Sequence, residues 1–280
     1  MPAYELIDFG DGRKLERLGG LLVDRPCPAA EEAIPESEWP QADARFELRD
    51  RHTGTWRFLR PAPDPWLFRT WFGVLELFPT DFGHLGVFPE QRSSWQWLRQ
   101  QTNDLLSGLR ILNLFAYTGG STLAAAAAGC EVTHVDSAKN IVARARSNSE
   151  QSHLQDRPVR WIVDDALKFV QREVRRGRKY DGVILDPPSY GHGVKSRETW
   201  KIDRDLPVLL ESLQQLLTPC RLFLFTCHSP GFSGPVMREH VARFLDVPAV
   251  CETGTLNLKT GSGRVMSGGH FLRWFDKLDS

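Results

Sequence analysis

The chain has 280 residues, with 35 basic and 35 acidic side chains, a formal net charge of zero, 41% hydrophobic residues and 25% charged residues. These values fit one large globular domain, or one domain with an added module, and argue against a protein that coats nucleic acid. No apolar run approaches the roughly 20 residues of a membrane helix, and Met1 to Asp8 lacks the basic start and apolar core of a secretion signal, so no membrane partner is expected.

Residues 1–90 read as a β-rich, tryptophan-rich module. Tyr4 to Phe9 is a candidate strand, and Asp8-Phe9-Gly10-Asp11-Gly12 carries a turn signal. Lys14 to Gly20 reads as a brief strand or turn, and Leu21 to Val23 as another strand. Proline punctuates Arg25–Pro28 and Ile34–Pro40. Arg45-Phe46-Glu47-Leu48-Arg49 alternates as a half-buried strand, and Gly54 turns the chain toward Trp56-Arg57-Phe58, which completes an antiparallel module. Trp39, Trp56, Trp66 and Trp71, with Phe46, Phe58, Phe68 and Phe72, suit a base-stacking platform or, more simply, the core of a small sheet. Arg45, Arg49, Arg51, Arg57 and Arg60 offer a phosphate-facing surface that Asp43, Glu47 and Asp50 dilute. Trp66 to Phe78 supplies one or two further strands.

Beyond residue 90 the pattern changes. An amphipathic helix over Trp95–Leu106 turns Trp97, Leu98 and Leu105 inward. Strands are expected at 110–116, 131–136, 159–163, 181–186 and 221–227, and helices at 121–128, 138–151, 166–176, 203–217 and 234–245. This alternation predicts an α/β domain over 91–280 with a parallel sheet covered on both faces. Cys251–Lys259 and Phe271–Phe275, around a turn at Thr260–Gly263, read as a terminal antiparallel hairpin.

The ligand-binding signal is concentrated at strand ends. Ile111, Leu112, Leu114 and Phe115 form a buried run that breaks at Thr118-Gly119-Gly120. Ser121 or Thr122 is placed to cap the helix that follows, and Gly129 to end it. A strand, a glycine turn and a helix start suit a nucleotide-like ligand. Asp136 ends the next strand, 17 residues after Gly119, where a carboxylate accepts from ribose hydroxyls. The dinucleotide fingerprint G-x-G-x-x-G is absent, which argues against a nicotinamide enzyme.

Asp164-Asp165-Ala166 ends the third strand, where an acid serves as a helix cap or as a ligand group. Asp186-Pro187-Pro188-Ser189-Tyr190 follows the buried Val183-Ile184-Leu185, with two prolines stiffening the exit. Gly191 to Arg197, with His192 and Lys195, is a basic loop suited to closing over a substrate. The basic run Arg172 to Lys179 reads as a solvated helix end. Thr226-Cys227-His228-Ser229 ends the fifth strand. Cys227 there is either a nucleophile able to add to C6 of a pyrimidine or a buried structural cysteine. The other cysteines, Cys27, Cys130, Cys220 and Cys251, are scattered without C-x-x-C spacing, so no disulfide or metal site and a reducing, cytoplasmic setting are expected.

Asn113-x-Phe115-x-x-Thr118-Gly119-Gly120 resembles motif I of class I S-adenosylmethionine (SAM)-dependent methyltransferases. With Phe88-Pro89-Glu90-Gln91, Val135-Asp136-Ser137, Asp164-Asp165-Ala166 and Asp186-Pro-Pro-Ser-Tyr190, residues 84–275 resemble the bacterial 23S rRNA cytosine-C5 methyltransferase family. The resemblance implies a Rossmann-like class I methyltransferase fold, a mostly parallel seven-stranded sheet ending in an antiparallel hairpin. It implies SAM as cofactor, held by Gln91, Asn113, Phe115, Ala116, Tyr117, Thr118, Gly119, Gly120, Asp136, Ser137, Asp164, Asp165, Ala166 and Asp186, with Asp165 on the adenine amino group. It also implies that Tyr190 stacks on the acceptor while Asp186, Pro187 and Pro188 shape its site. Thr226-Cys227-His228 stands where the family carries Ser-Cys-Ser with the presumed nucleophile, a partial match. RNA is then the leading partner and a nucleobase the target. Methylation of a nitrogen in a nucleobase or protein side chain, through the Asp-Pro-Pro-Ser-Tyr loop, is the alternative. The family's PUA RNA-binding domain is not recognisable in residues 1–80. Asp8 to Arg17 and Asp24-Arg25-Pro26 resemble instead a side branch known only as SAM-dependent methyltransferases. The oligomeric state is left open, a homodimer included.

Overall fold

The computed structural model describes residues 4–50, 53–101, 107–191, 199–217 and 219–276. The chain forms two compact units, one of Met1–Glu90 with Asn257–Gly268, the other of Gln91–Leu256 with Gly269–Ser280.

In the first unit β1 (Tyr4–Gly10), β2 (Arg13–Leu18), β3 (Leu21–Pro26), β4 (Ala44–Leu48) and β5 (Gly54–Phe58) form a five-stranded sheet in that order. Asp11 and Gly12, at φ of 51° and 69°, make the tight turn between β1 and β2. Positive φ at both central residues is what a two-residue type I′ hairpin requires. The stretch that the sequence leaves between strand and turn is thus strand β2, with Gly19-Gly20 as its turn. The expected all-antiparallel arrangement needs one correction: β3 and β4 pair parallel, Val23 opposite Ala44 and Asp24 opposite Arg45. The connection from Cys27 to Asp43 is long enough for a crossover, which a parallel pair needs and a hairpin does not. A short hairpin, β6 (Leu67–Arg69) with β7 (Val74–Glu76), completes the described strands of residues 1–90.

Phe46 and Phe68 are fully buried and Trp66 nearly so, with Phe58 edge-on to Trp66 at 6.3 Å, so these aromatics are core. The surface arginines are largely balanced: Arg45 lies 3.4 Å from Asp24, and Arg57 3.9 Å from Glu47. Charge is also buried here. Glu16, fully buried, receives Arg25 Nε at 2.6 Å, Lys14 Nζ at 3.0 Å and the Tyr4 hydroxyl at 2.9 Å.

The second unit follows the strand–helix alternation. It contains α1 (Arg92–Gln100), β8 (Arg110–Leu114), α2 (Gly120–Ala127), β9 (Glu131–Asp136), α3 (Lys139–Gln151), β10 (Val159–Val163), α4 (Ala166–Arg175) and β11 (Gly182–Leu185). These are followed by β12 (Tyr190–Gly191), β13 (Trp200–Lys201), α5 (Ile202–Gln214), β14 (Leu222–Cys227), α6 (Gly234–Ala242), β15 (Glu252–Lys259) and β16 (Val265–Phe275). The tip of the β15–β16 hairpin, Asn257–Gly268, belongs to the first unit. Helix α1 starts three residues earlier than its pattern suggests and ends at Gln100; Leu105 lies outside the described residues.

The seven-stranded sheet has the order β10-β9-β8-β11-β14-β16-β15. Strands β10 to β14 pair parallel, and β16 runs antiparallel to β14. Buried runs such as Gly182–Leu185 and Leu222–Cys227 explain the parallel centre, because both faces of these strands are covered. Leu112, Leu114, Val183, Leu185, Phe223 and Phe225 pack against Leu206, Leu209 and Leu213 of α5 in one core. Strand order reverses between β8 and β11. The carboxyl ends at such a switch point open the crevice where ligands of doubly wound sheets bind.

Candidate active site

The loop leaving β8 is bent by backbone rather than by length. Phe115 and Tyr117 take left-handed conformations, φ 56° and 48°, and Gly119 follows at 89°. Such conformations cost side-chain-bearing residues about 1–3 kcal/mol each and persist only when the surroundings enforce them. Here they do. The Ala116 amide donates to Val135 O at 3.1 Å, the Tyr117 amide to Asp136 Oδ2 at 2.9 Å, and Asn148 Nδ2 to Thr118 O at 2.9 Å. A Cβ on Gly120 would sit 2.6 Å from Trp95 Cζ2, so α1 closes on the loop as only glycine permits.

The expected cap does not form. Helix α2 begins at Gly120 with Gly119 as N-cap, and no side chain caps its first turn. The glycine pair starts the helix early, which draws Ser121 and Thr122 inside it. Ser121 Oγ accepts from Trp95 Nε1 at 3.1 Å. Thr122 Oγ1 accepts from the buried Asn113 Nδ2 at 2.8 Å and meets His134 Nδ1 at 2.8 Å.

Asp136 lies beside this loop with its carboxylate fixed from two sides, by Tyr117 N on Oδ2 and Ala138 N on Oδ1 at 3.0 Å. Burial pushes its carboxyl above the usual range, against the amides of Ala138, Tyr117 and Ser137. The next pair of acids divides its work. Asp165 Oδ1 accepts from Lys168 N at 3.0 Å and caps α4. The Asp164 amide donates to Asp136 O at 3.0 Å, while its carboxylate accepts the Asp165 amide at 2.9 Å and pairs with the Arg172 guanidinium. Arg172 also lies over the Phe169 ring at 5.3 Å, so this member of the basic run is held and not simply solvated. Ala166 packs into the core.

At the end of β11, Asp186 is gripped from two strand ends and the start of α1. Gln91 Nε2 donates to Asp186 Oδ2 at 3.1 Å and to Thr226 Oγ1 at 2.9 Å, and Thr226 Oγ1 donates to Asp186 Oδ1 at 2.8 Å. His228 Nε2 faces Asp186 Oδ1 at 3.6 Å. The prolines lead to Ser189, whose Oγ meets Ser229 Oγ at 2.6 Å, and Trp200 Nε1 donates to Pro188 O at 2.8 Å. Tyr190 is 71% exposed, a large ring presented to solvent. Beside it opens a cleft of about 340 Å³ lined by Ser189, Tyr190, Ile202, Ser229, Pro230 and Phe232, with Lys201, Asp203 and Arg204 also on its wall.

This crevice carries the strained glycine loop, a fixed acid at the end of β9 and a rigid Asp-Pro-Pro corner at the switch point. The S-adenosylmethionine-dependent methyltransferase family matches residues 76–252. The chain belongs to this family.

The SAM-dependent methyltransferase from Agrobacterium tumefaciens, a crystal structure, shares 36% identity with it. The superposition has a TM-score of 0.89 and covers 99% of this chain and 91% of that one. The ribosomal RNA large subunit methyltransferase K/L of Hahella chejuensis is 31% identical over 154 residues, 55% of this chain and 20% of that protein. The ribosomal RNA large subunit methyltransferase I of Erwinia tasmaniensis is 36% identical over 134 residues, 47% of this chain and 33% of that protein. The chain therefore spans a fifth to a third of the length of these curated relatives. The protein is an enzyme of the SAM-dependent class with the Rossmann-like methyltransferase fold.

The methyltransferase gathers most of the residues singled out in its sequence. Asn113, Phe115 to Gly120 and Asp136 lie at the ends of β8 and β9, and Gln91 meets Asp186. Cys227 differs. It is fully buried, shares the core with Phe223 and Phe225, and burial pushes its thiol up despite hydrogen bonds from Ser229. Thr226 and Trp200 escape sequence reasoning. Thr226 is legible only as a neighbour of Cys227 at a strand end, and its partner Gln91 lies 135 residues away. Trp200, which packs on Phe115 at 4.8 Å, gives no signal beyond its type. His192, Lys195 and Arg197 lie outside the described residues. Among those residues, no helix is long and apolar enough to cross a membrane, and no group of His, Cys, Asp or Glu is arranged for a metal.

Proposed function

We propose that this methyltransferase modifies a nucleobase in RNA, with residues 91–280 as the catalytic domain and residues 1–90 as an accessory module. Its similarity to two large-subunit rRNA methyltransferases supports RNA as the substrate. The observation that carries the chemical reading is Asp186, fixed by Gln91 and Thr226 at the switch point and adjoining an exposed Tyr190. A planar acceptor stacked on Tyr190 lies over the Asp186–Pro188 corner, and positioning of this kind supplies much of the rate in a direct transfer.

The residues suit SAM. When bound, SAM supplies an activated methyl group. Asp136 offers a fixed carboxylate for the ribose hydroxyls, and the uncapped start of α2 offers amides for a carboxylate. Asn113, Phe115 to Gly120, Ser137 and Asp164 to Ala166 complete the binding surface in this reading, with Gln91 and Asp186 at its methyl end. One face of Asp165 is taken by its helix cap, which leaves its second oxygen for the adenine amino group.

Two chemistries fit the cleft. In the covalent route Cys227 adds to C6 of a pyrimidine. In the direct route the acceptor atom takes the methyl group in line, with Asp186 orienting it. The burial of Cys227 and the raised thiol favour the direct route, because the thiolate is the reactive form.

Tritiated SAM tests the proposal with purified protein and lysate from a strain lacking the gene. Label in RNA is the expected result, and nucleoside digestion then identifies the atom. Label only in protein or small molecules overturns the RNA assignment. Cys227→Ala separates the routes: the direct route keeps at least a third of the wild-type rate, and the covalent route loses it.

A further inference from the structure

We propose that His228 is a catalytic residue that takes the proton released by the acceptor during methyl transfer, with Asp186 as its counter-charge and Gly269 as its seat. The proposal rests on the assignment of the Asp186–Tyr190 corner as the acceptor site. It goes further by giving the acceptor a chemical requirement.

Three observations converge on the imidazole. First, Nε2 faces Asp186 Oδ1 at 3.6 Å. That carboxylate is immobilised by Gln91 and Thr226, so it cannot swing to meet the ring. This places a fixed carboxylate beside the ring. Second, the side chain is about one third exposed, and it directly precedes Ser229 on the wall of the cleft. Third, the ring is seated by a backbone approach from β16. A Cβ on Gly269 would lie 2.9 Å from His228 Nδ1 and 2.8 Å from Cys227 O, closer than side chains pack. Gly269 also has φ of 130°, a conformation that L side chains rarely adopt. The sheet thus keeps a glycine where any side chain would push the imidazole out of place.

The step balances as follows. A lone pair of the acceptor atom forms the new bond to the methyl carbon, and the carbon–sulfur pair leaves with sulfur. The acceptor's bond to hydrogen breaks, its electrons stay on the acceptor, and the proton passes to Nε2 of neutral His228. The imidazolium returns the proton to water once product departs. General-base help of this kind contributes about 10²–10⁴-fold. The requirement follows directly: the acceptor atom carries a proton to lose, as an exocyclic amine or a hydroxyl does. A bare ring nitrogen with only a lone pair would gain nothing from His228.

The test uses the full chain and whichever fraction the wild-type enzyme labels from tritiated SAM. His228→Gln preserves size and polarity, and His228→Ala opens space for an added base. Single-turnover rates are expected to fall at least 30-fold in both, with S-adenosylhomocysteine binding by calorimetry within threefold of wild type. Imidazole in the buffer is expected to restore His228→Ala by tenfold or more and to leave His228→Gln unchanged. Gly269→Ala is expected to slow turnover without rescue by imidazole. Rates within threefold of wild type in both His228 variants, or a loss that imidazole does not relieve, would overturn the proposal. The RNA assignment fails separately, through wild-type label appearing outside RNA.

Discussion

The five-stranded sheet of the first unit and the seven-stranded sheet of the second both bury polar groups, but in different places. In the first, charge lies within the strands. Glu16 sits in the middle of β2 among Lys14, Arg25 and the Tyr4 hydroxyl. Asp8 on β1 is bonded by Trp39, the amides of Phe9 and Glu36, and Arg264 of the hairpin tip. Burial alone would raise the Glu16 carboxyl, yet Arg25 and Lys14 outweigh it and hold it at about 2. In the second sheet the centres of β8, β9, β11 and β14 carry no charged side chain, the buried polar groups there being Asn113, Thr133 and His134, and Asp136, Asp164, Asp186, Thr226 and His228 stand at carboxyl ends. A buried charge ringed by its own counter-ions can hold a sheet in register. A polar group at a strand end, fixed on one side and open on the other, can meet a ligand.

Glu16→Gln should break the first pattern with the largest effect. It leaves two buried cations facing a neutral amide, and removing one partner of such a network costs about 3–5 kcal/mol. Urea denaturation should register that loss, while turnover per folded molecule stays within twofold. Unchanged stability would mean that the charges of the first sheet are not structural. Asp186→Asn should do the reverse. Its hydrogen-bond partners can adapt to an amide, so the unfolding free energy read from urea denaturation should change by less than about 1 kcal/mol. Turnover should fall about 10²-fold, the size typical of a lost transition-state contact. Equal losses in stability and rate would erase the distinction.

How far each sheet can be read from sequence follows from the same difference. Strands β8, β9, β10, β11 and β14 announce themselves as short apolar runs between helices, and their bounds fall within two residues of expectation. The strand ends are legible for the same reason, because Thr118-Gly119-Gly120, Asp136 and Asp186-Pro-Pro interrupt those runs. The parallel pairing of β3 with β4 is not legible, since nothing in Leu21–Pro26 or Ala44–Leu48 encodes a neighbour across the Cys27–Asp43 crossover. Nor is the division of labour between Asp164 and Asp165. Adjacent identical acids differ only in what the fold brings to them, Arg172 for one and the first turn of α4 for the other. Thr226 and Cys227 show the limit most clearly. Chemistry draws attention to the thiol, while strand alternation turns it into the core and points its neighbour at Gln91 and Asp186.

Gly120→Ala sharpens the comparison at the cofactor loop. The added methyl would meet Trp95 Cζ2 at 2.6 Å, and overpacking of this kind costs about 1–3 kcal/mol. The cost should appear as weaker S-adenosylhomocysteine binding in calorimetry together with a modest loss of stability. An unchanged Kd would show that α1 does not set the shape of the loop.

The smallest effect separates the two sheets by pH. His134, fully buried behind the glycine loop, is held by burial at about 3 against an ordinary value of 6.5. Its folded state therefore binds fewer protons than its unfolded state. The stabilisation is complete above pH 6.5 and falls as pH drops toward about 3. Glu16 is also depressed, from 4.5 to about 2, so its contribution is complete above pH 4.5 and is lost only below that. Asp136 is raised above 3.8, which acts with the opposite sign just above that value. Between pH 6.5 and 5.5 the slope of stability with pH should then come from the seven-stranded sheet, amount to less than one proton, and vanish in His134→Gln. Hydrogen exchange followed by mass spectrometry over the same window should show β8, β9 and α2 losing protection while β1 to β3 keep theirs. Protection lost first in β1 to β3 would place the acid-sensitive group in the first sheet and reverse the comparison.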